Sequence, residues 1–95
     1  MSNKIMAVIL AYNCQNEINK TLKKIQKYEK YFYKICIIDN NSKDKTFIKA
    51  KAFIKNRNLK KFEIIKNLKN FGQGGSHKVA FEHALKNKCD YCLVY

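Results

Sequence analysis

Three short groups of residues in this 95-residue sequence have the chemistry to bind a ligand. Asp39 follows an apolar run, and a carboxylate there can accept the imide N–H of a uracil or the amino and imino hydrogens of a guanine. Gly72, Gly74 and Gly75 precede a segment with helical spacing; glycine permits close backbone approach, and a helix start suits phosphate oxygens. Lys78, in the first turn of that helix, can neutralise a diphosphate.

Each of these residues also has a purely structural interpretation. An Asp before two Asn residues commonly braces its own turn, and a lysine in a lysine-rich chain is commonly a solvated surface group. Tyr12, at the end of the first apolar run, fits both a ring against a ligand and a core ring with a hydrogen-bonded hydroxyl. His77 and His83 are isolated along the chain, and we assign them structural or surface roles.

Short apolar runs predict the strands, and apolar residues at helical spacing predict the helices, that must position these groups. Strands are expected at 4–10, 33–38, 62–65 and 91–95. The first helix carries Ile18, Leu22 and Ile25 on its apolar side, with Asn16 as its N-cap. The second runs from the capping Asp44 to about residue 57, and the third from 76 to about 86. Their expected buried positions are Phe47, Ile48, Ala52 and Ile54 in the second helix, and Val79, Ala80, His83 and Leu85 in the third.

Regular alternation of strand and helix is typical of right-handed crossover units on a parallel sheet. We therefore predict an α/β fold, a Rossmann-like parallel sheet with flanking helices and the strand order 3-2-1-4. The loops 11–13, 39–42 and 67–75 follow the first three strands, so they should meet at the carboxyl edge of the sheet, where such folds bind ligands.

Three motifs at these loops resemble those of the family 2 glycosyltransferases, whose first domain has the GT-A fold. Leu10-Ala11-Tyr12-Asn13 is similar to the family's Pro-Ala-Tyr-Asn. The segment 38–46 is similar to Val-Asp-Asp-Gly-Ser-Thr-Asp-Gly-Thr, and the segment 70–78 to the Asn-x-Gly-x-Gly-Gly-x-Gln-Lys of one branch. That branch includes proteins resembling dolichyl-phosphate sugar synthases and enzymes of cell-envelope polysaccharide assembly. The resemblance covers essentially the whole chain.

The resemblance implies transfer of a sugar from a nucleoside-diphosphate sugar to an acceptor hydroxyl, with inversion. It places eight residues at the nucleotide sugar: Ala11, Tyr12, Asn13, Asp39, Gly72, Gly74, Gly75 and Lys78. For Asn40, Asn41, Ser42, Asp44 and Thr46 we expect only turn formation and capping of the second helix. Two residues depart from the family pattern: Leu10 replaces the usual proline, and Cys14 stands where many members have a glutamate.

The family's Asp-x-Asp motif, which holds a divalent metal against the diphosphate, follows the fourth strand. The sequence lacks it, so residues 1–95 are expected to form one partial domain, truncated before that motif. Mg²⁺ or Mn²⁺ is implied for the parent protein, with no ligands here, and the fragment alone is expected to be inactive. The fourth strand, with Leu93, Val94 and Tyr95, should lack its usual neighbours, so self-association is expected.

The formal net charge of +13 raises a nucleic-acid alternative, a basic RNA-binding domain. Arg57 is the only arginine, whereas base and phosphate recognition favour arginine, so we predict no nucleic-acid partner. A non-catalytic nucleotide-binding module is the other alternative.

No apolar run approaches the ~20 residues of a membrane span, which indicates a cytoplasmic protein. The parent protein is expected to be at most peripheral at the inner face of the membrane. Cys89 and Cys92 have the spacing of half a zinc site, but Cys14 and Cys36 form no second pair, so buried free thiols are expected.

Overall fold

A four-stranded parallel sheet forms the centre of the molecule. The structure, a computed structural model, describes residues 3–95, with only the backbone of Gln73. The strands are β1 (Ile5–Ala11), β2 (Lys34–Asp39), β3 (Phe62–Lys66) and β4 (Tyr91–Val94), in the order β3-β2-β1-β4. All three strand pairs are parallel. The predicted fold class and strand order are confirmed.

Three helices connect the strands: α1 (Ile18–Gln26), α2 (Thr46–Asn56) and α3 (Gly72–Lys86), with a short 3-10 helix at Glu29–Tyr31. None of the helices in the described part of the chain is long and apolar enough to cross a membrane.

The sheet carries a separate apolar core on each face. One core joins alternate residues of β1 and β2 to α1 and α2, and includes Ala7, Ile9, Ile37, Leu22 and Phe53. The other lies under α3 and includes Met6, Val8, Cys36, Ile38, Ala80 and Ala84. Because successive strand residues point to opposite faces, both sides of β1 and β2 are buried. These two strands therefore form the rigid centre of the sheet.

Several helix details differ from the predictions. Glu17, not Asn16, is the residue before α1, and it makes no side-chain capping bond. In α2 the buried residues are Thr46, Ala50 and Phe53, whereas Ile48 is 66% exposed. The aliphatic residues of this helix are spread around its circumference, so the small residue Ala50, which allows close approach to the sheet, sets the buried face.

Helix α3 also differs from the prediction in its start and its face. It begins at Gly72 rather than at residue 76, so the glycines that were expected in a loop form its first turn. Its buried residues recur every four positions at Ser76, Ala80 and Ala84, while Leu85 is 75% exposed. Small residues on this face let the helix lie close to the sheet.

All four cysteines lie in the described part of the chain and are free thiols. Cys36 is fully buried, and desolvation, followed by the nearby Glu63 carboxylate, raises the pKa of its thiol to about 12. Cys89 and Cys92 are half-buried and pack against the core under α3.

Candidate functional site

A cleft opens at the carboxyl edge of the sheet, where the loops after β1, β2 and β3 converge. Its volume is about 340 Å³, and we call it the edge cleft; its lining residues are Leu10, Ala11, Tyr12, Asn40, Asn70, Gly72 and Ser76. The strand order reverses between β1 and β4, because the chain passes from β3 on one side of β1 to β4 on the other. Open parallel sheets bind ligands at such a switch point.

The loops after β1 and β2 are fastened together by side-chain hydrogen bonds to backbone N–H groups. The N–H of Asn13 donates to Ser42 Oγ (2.8 Å), and that of Cys14 to Thr46 Oγ1 (2.8 Å). Asp44 accepts from the N–H of Thr46 (2.9 Å) and from that of Gln15 (3.2 Å). The sequence predicts Asp44 as the cap of α2, but the residue before the helix is Lys45, which makes no side-chain capping bond. Asp44, one residue earlier, accepts the N–H of the first helical residue, and it also fixes the first loop against the second.

Asp39, which the family resemblance places at the nucleotide sugar, is fully buried and does not line the edge cleft. Its two oxygens accept hydrogen bonds from the Ser42 N–H (3.1 Å) and the Ser42 hydroxyl. Asp39 is the register partner of Ala11 and follows Ile35 and Ile37 on the face that packs against α1 and α2. The carboxylate therefore braces the turn after β2 from the face opposite α3.

Asn40, one residue further along, lines the cleft instead and joins all three loops. Its backbone N–H donates to the Ala11 carbonyl (2.9 Å), and its Nδ2 donates to Asn70 Oδ1 (2.8 Å). Its Oδ1 accepts from Asn67 Nδ2 (3.1 Å) and from the Phe71 N–H (3.0 Å). We had assigned Asn40 to turn formation alone. The alternation of the strand carried through to position 40 is the signal that places its side chain on the α3 face.

The predicted residues of the first loop divide between the cleft and the scaffold. Tyr12 is 47% exposed at the cleft, so its ring face is free to meet a ligand. Ala11 lines the cleft although its side chain is buried. Asn13 lies outside the lining and adopts a positive φ of 47°; its Oδ1 accepts the Lys43 N–H (2.9 Å). It thus forms part of the fastening between the first two loops.

The glycine motif shapes the start of α3. Gly72 has a φ of +72°, which favours glycine, and its N–H donates to Asn70 Oδ1 (2.7 Å). A Cβ atom at Gly75 would lie 2.5 Å from the Phe71 Cβ, so this glycine permits the close turn. A Cβ at Gly74 would meet nothing within 4 Å. Of the three, only Gly72 lines the cleft in the described structure.

The remaining lining residues were not singled out from the sequence as ligand contacts. Ser76 is buried on α3 and lies 3.4 Å from Asn67 Nδ2, and Asn70 sits between Asn40 and Gly72. Lys78, which we predicted to bind phosphate, is exposed on α3 and does not line the cleft. The described lining is therefore a set of amide, hydroxyl and ring groups.

A hard divalent cation does not fit the edge cleft as described. Mg²⁺ and Mn²⁺ favour carboxylate oxygens, and no described carboxylate lines this cleft. The nearest acid in sequence, Asp39, is already engaged by Ser42.

A larger depression, about 710 Å³, lies away from the motif loops beside α1. Its lining is Lys20, Lys23, Lys24, Gln26, Lys27, Glu29 and Arg57. It offers positive charge but, among the described residues, no aromatic ring on which a nucleobase could stack. Its chemistry is that of a solvated basic surface.

Comparison with known proteins agrees with this architecture. The arrangement defines a Rossmann-like α/β domain with a ligand cleft at its switch point. The model of the family "Glycosyl transferase family 2" matches residues 6–94, and the chain belongs to this family.

Solved structures with the same fold include one that matches most of this chain. The mannosyltransferase PcManGT from Pyrobaculum calidifontis, in complex with GDP-Man and Mn²⁺, matches with a TM-score of 0.76 and 18% identity. The match covers 88% of this chain and 25% of that one, so the chain corresponds to about a quarter of that structure. No curated protein sequence matches the chain.

Proposed function

We propose that this chain forms the donor-binding part of a glycosyltransferase, which transfers a sugar from a nucleoside-diphosphate sugar to an acceptor hydroxyl. The observation that carries the proposal is the edge cleft, where residues of all three family motifs meet at the switch point of the sheet. Family membership supports the reaction class, and the GDP-Man bound in the solved mannosyltransferase supports the ligand class.

The base and ribose would lie against the loops after β1 and β2. The half-exposed Tyr12 ring offers a face for stacking, and the side-chain amide of Asn40 and the backbone near Ala11 offer polar contacts. Asp39 would act as a positioning residue, because its carboxylate holds the Ser42 turn and reaches a base only if that turn opens. Asn13 would hold the same loop pair in place.

The diphosphate would lie at the start of α3. The first N–H groups of a helix have no partner within the helix, and the helix dipole favours negative charge there. The backbone at Gly72 and Gly74 is accessible to a ligand, because no other atom would lie within 4 Å of a Cβ at either position. Gly75 permits the close contact with Phe71 that this turn requires. Lys78, in the second turn, would add positive charge near the phosphates.

The proposed chemistry is a single displacement. The acceptor oxygen forms a bond to the anomeric carbon as the bond from that carbon to the nucleoside diphosphate breaks, which inverts the configuration, and the acceptor hydroxyl gives its proton to a general base. A Mg²⁺ or Mn²⁺ ion would stabilise the leaving diphosphate when bound, but the cleft residues offer it no carboxylate. By the glycine motif, we place the chain in the dolichyl-phosphate sugar synthase-like branch, in glycan or polysaccharide assembly at the inner face of a membrane.

Isothermal titration calorimetry with UDP, GDP and a short RNA tests the proposal. We expect binding of a nucleoside diphosphate, weakened in Tyr12→Ala by about 5–150-fold, the equivalent of roughly 1–3 kcal/mol for one base stacked on one ring. Tyr28→Ala is the matched control, because Tyr28 is also exposed but lies away from the cleft, and it should bind as the wild type does.

Equal binding by the Tyr12 and Tyr28 variants would refute the placement of the nucleotide. Binding of RNA alone, with a steep salt dependence, would favour the basic RNA-binding alternative. If the protein binds a nucleoside diphosphate but transfers no sugar from a nucleoside-diphosphate sugar, the result would favour the non-catalytic nucleotide-binding module.

A further inference from the structure

Three metal-ligating side chains meet on the α3 face of the sheet. They are Cys36 on β2, Glu63 on β3 and His83 in the last turn of α3, and their ligand atoms all lie within 4.8 Å of one another. Cys36 and Glu63 are register partners on neighbouring strands, so their side chains stand beside each other on the same face. Two of the three ligands are therefore fixed by the rigid part of the sheet.

This cluster is separate from the edge cleft. Glu63 is the second residue of β3, and His83 lies eleven positions after Gly72, at the opposite end of α3. The thiol is fully buried, whereas the side chains of Glu63 and His83 are 31% and 21% exposed. The three groups therefore form a small site in which the thiol is buried and the carboxylate and the imidazole are in contact with solvent.

We propose that Cys36, Glu63 and His83 bind a zinc-class divalent cation, which fastens α3 to β2 and β3. Thiolate, imidazole and carboxylate are the ligands that Zn²⁺ takes in proteins, whereas Mg²⁺ and Ca²⁺ do not select a thiol. The thiol proton leaves to solvent as the thiolate binds. The proton between His83 Nε2 and Glu63 Oε1 leaves that hydrogen bond for solvent or for Nδ1, which frees both atoms to bind the ion, and a water molecule completes four-coordination. The assignment of this metal site does not rest on the proposed sugar transfer.

Small movements bring the ligands to the geometry of a bound ion. Without metal, His83 Nε2 and Glu63 Oε1 are hydrogen-bonded at 2.5 Å. Around a tetrahedral Zn²⁺ with bonds of about 2.0–2.1 Å, two such ligand atoms stand about 3.3 Å apart. The separation of these two atoms thus grows by less than about 1 Å, within reach of a Glu side-chain rotation. The separations from Cys36 Sγ, at most 4.8 Å here, come to about 3.5 Å around the same ion. Lys34 Nζ lies 3.8 Å from the other oxygen, Oε2, which leaves Oε1 to the ion.

Cobalt spectroscopy on the chelator-treated 95-residue chain tests the site. Co²⁺ should give a thiolate charge-transfer band and the strong visible bands of a tetrahedral complex, at one ion per chain, and Zn²⁺ should displace it. Cys36→Ala should lose the charge-transfer band. His83→Gln, which leaves the buried core intact, should weaken binding by more than about tenfold, because even outer-shell partners of metal ligands change affinity by about 10–100-fold.

Two cysteine variants serve as matched controls. Cys92→Ala changes a thiol that packs on the same core, and Cys14→Ala changes one on the opposite face; both should keep the band. Zn²⁺ should also raise the melting temperature of the wild type and of both controls, but not that of His83→Gln. Failure to bind Co²⁺, or a band that survives in Cys36→Ala and disappears in Cys92→Ala, would overturn the assignment.

Discussion

Replacement of Asn40 by Ala should destabilise the protein more than any other single amide change at the edge cleft. Asn40 is 9% exposed, and its side chain makes three hydrogen bonds, to Asn67, Asn70 and the Phe71 N–H. A typical hydrogen bond contributes about 0.5–1.5 kcal/mol net, so three contribute about 1.5–4.5 kcal/mol. In Asn40→Ala, water can reach the exposed Phe71, and Asn67 keeps its hydrogen bond to Ser76, so part of the lost bonding is replaced. We therefore expect the free energy of unfolding to fall by about 2–3 kcal/mol.

Urea unfolding followed by circular dichroism measures this loss as a shift in midpoint at constant slope. Asn56→Ala, an exposed amide at the end of α2, is the control and should change stability by less than about 0.5 kcal/mol. Asn40→Asp keeps the acceptor for Asn67 and Phe71 but loses the donor to Asn70, so its loss should be smaller. If Asn40→Ala is no worse than Asn56→Ala, the three loops are held by other contacts, and Asn40 is not their junction.

Three further changes test other parts of the structure. Gly74→Ala should stabilise α3 by about 0.5–1 kcal/mol, whereas Gly75→Ala should destabilise it because its Cβ would lie 2.5 Å from that of Phe71. In thermal unfolding, the melting temperature should therefore rise for Gly74→Ala and fall for Gly75→Ala. Burial alone would raise the pKa of Asp44, but hydrogen bonds from Thr46 and Gln15 lower it in the folded protein. The ionised Asp44 therefore stabilises the fold at a pH above the pKa of the unfolded state. This stabilisation is lost as the pH falls through the pKa of the folded state. The urea midpoint of Asp44→Asn should therefore approach that of the wild type in acid, and a pH-independent difference would contradict this. Leu93 is 56% exposed on β4, which pairs with β1 alone among the described strands, so Leu93→Lys should reduce self-association in sedimentation velocity.

The sheet could be predicted from the sequence because its signals are local and strong. The continuous apolar runs of β1 and β2 are buried on both faces, and each ends in a cluster of turn-forming residues. The helix faces were less predictable. In α2, exposed aliphatic residues such as Ile48 compete with the small residue Ala50 for the inner face, and the approach of the helix to the sheet decides between them.

Within the candidate site, Asn40 rather than Asp39 lines the edge cleft, a shift of one residue along β2. Asp39 has the more conspicuous chemistry, but strand alternation turns its carboxylate toward the α1 and α2 face and turns Asn40 toward the cleft. The extra hydrogen bonds of Asn40 come from Asn67, Asn70 and Phe71, about thirty residues away. These long-range contacts depend on where α3 begins. The helix start at Gly72 was not predictable from the sequence, because glycines are typical of loops.

Helix α3 connects the two sites of the molecule. Its first residues, Gly72 and Ser76, line the edge cleft, and His83 near its other end contacts Glu63 on β3. A helix of 15 residues is a rigid rod about 22 Å long, so a change in its tilt at one end displaces the other. An ion at Cys36, Glu63 and His83 would restrict that tilt. Nucleotide affinity should then rise when Zn²⁺ is added to the wild type and stay constant in His83→Gln; equal affinities with and without Zn²⁺ would show that the two ends of α3 act independently.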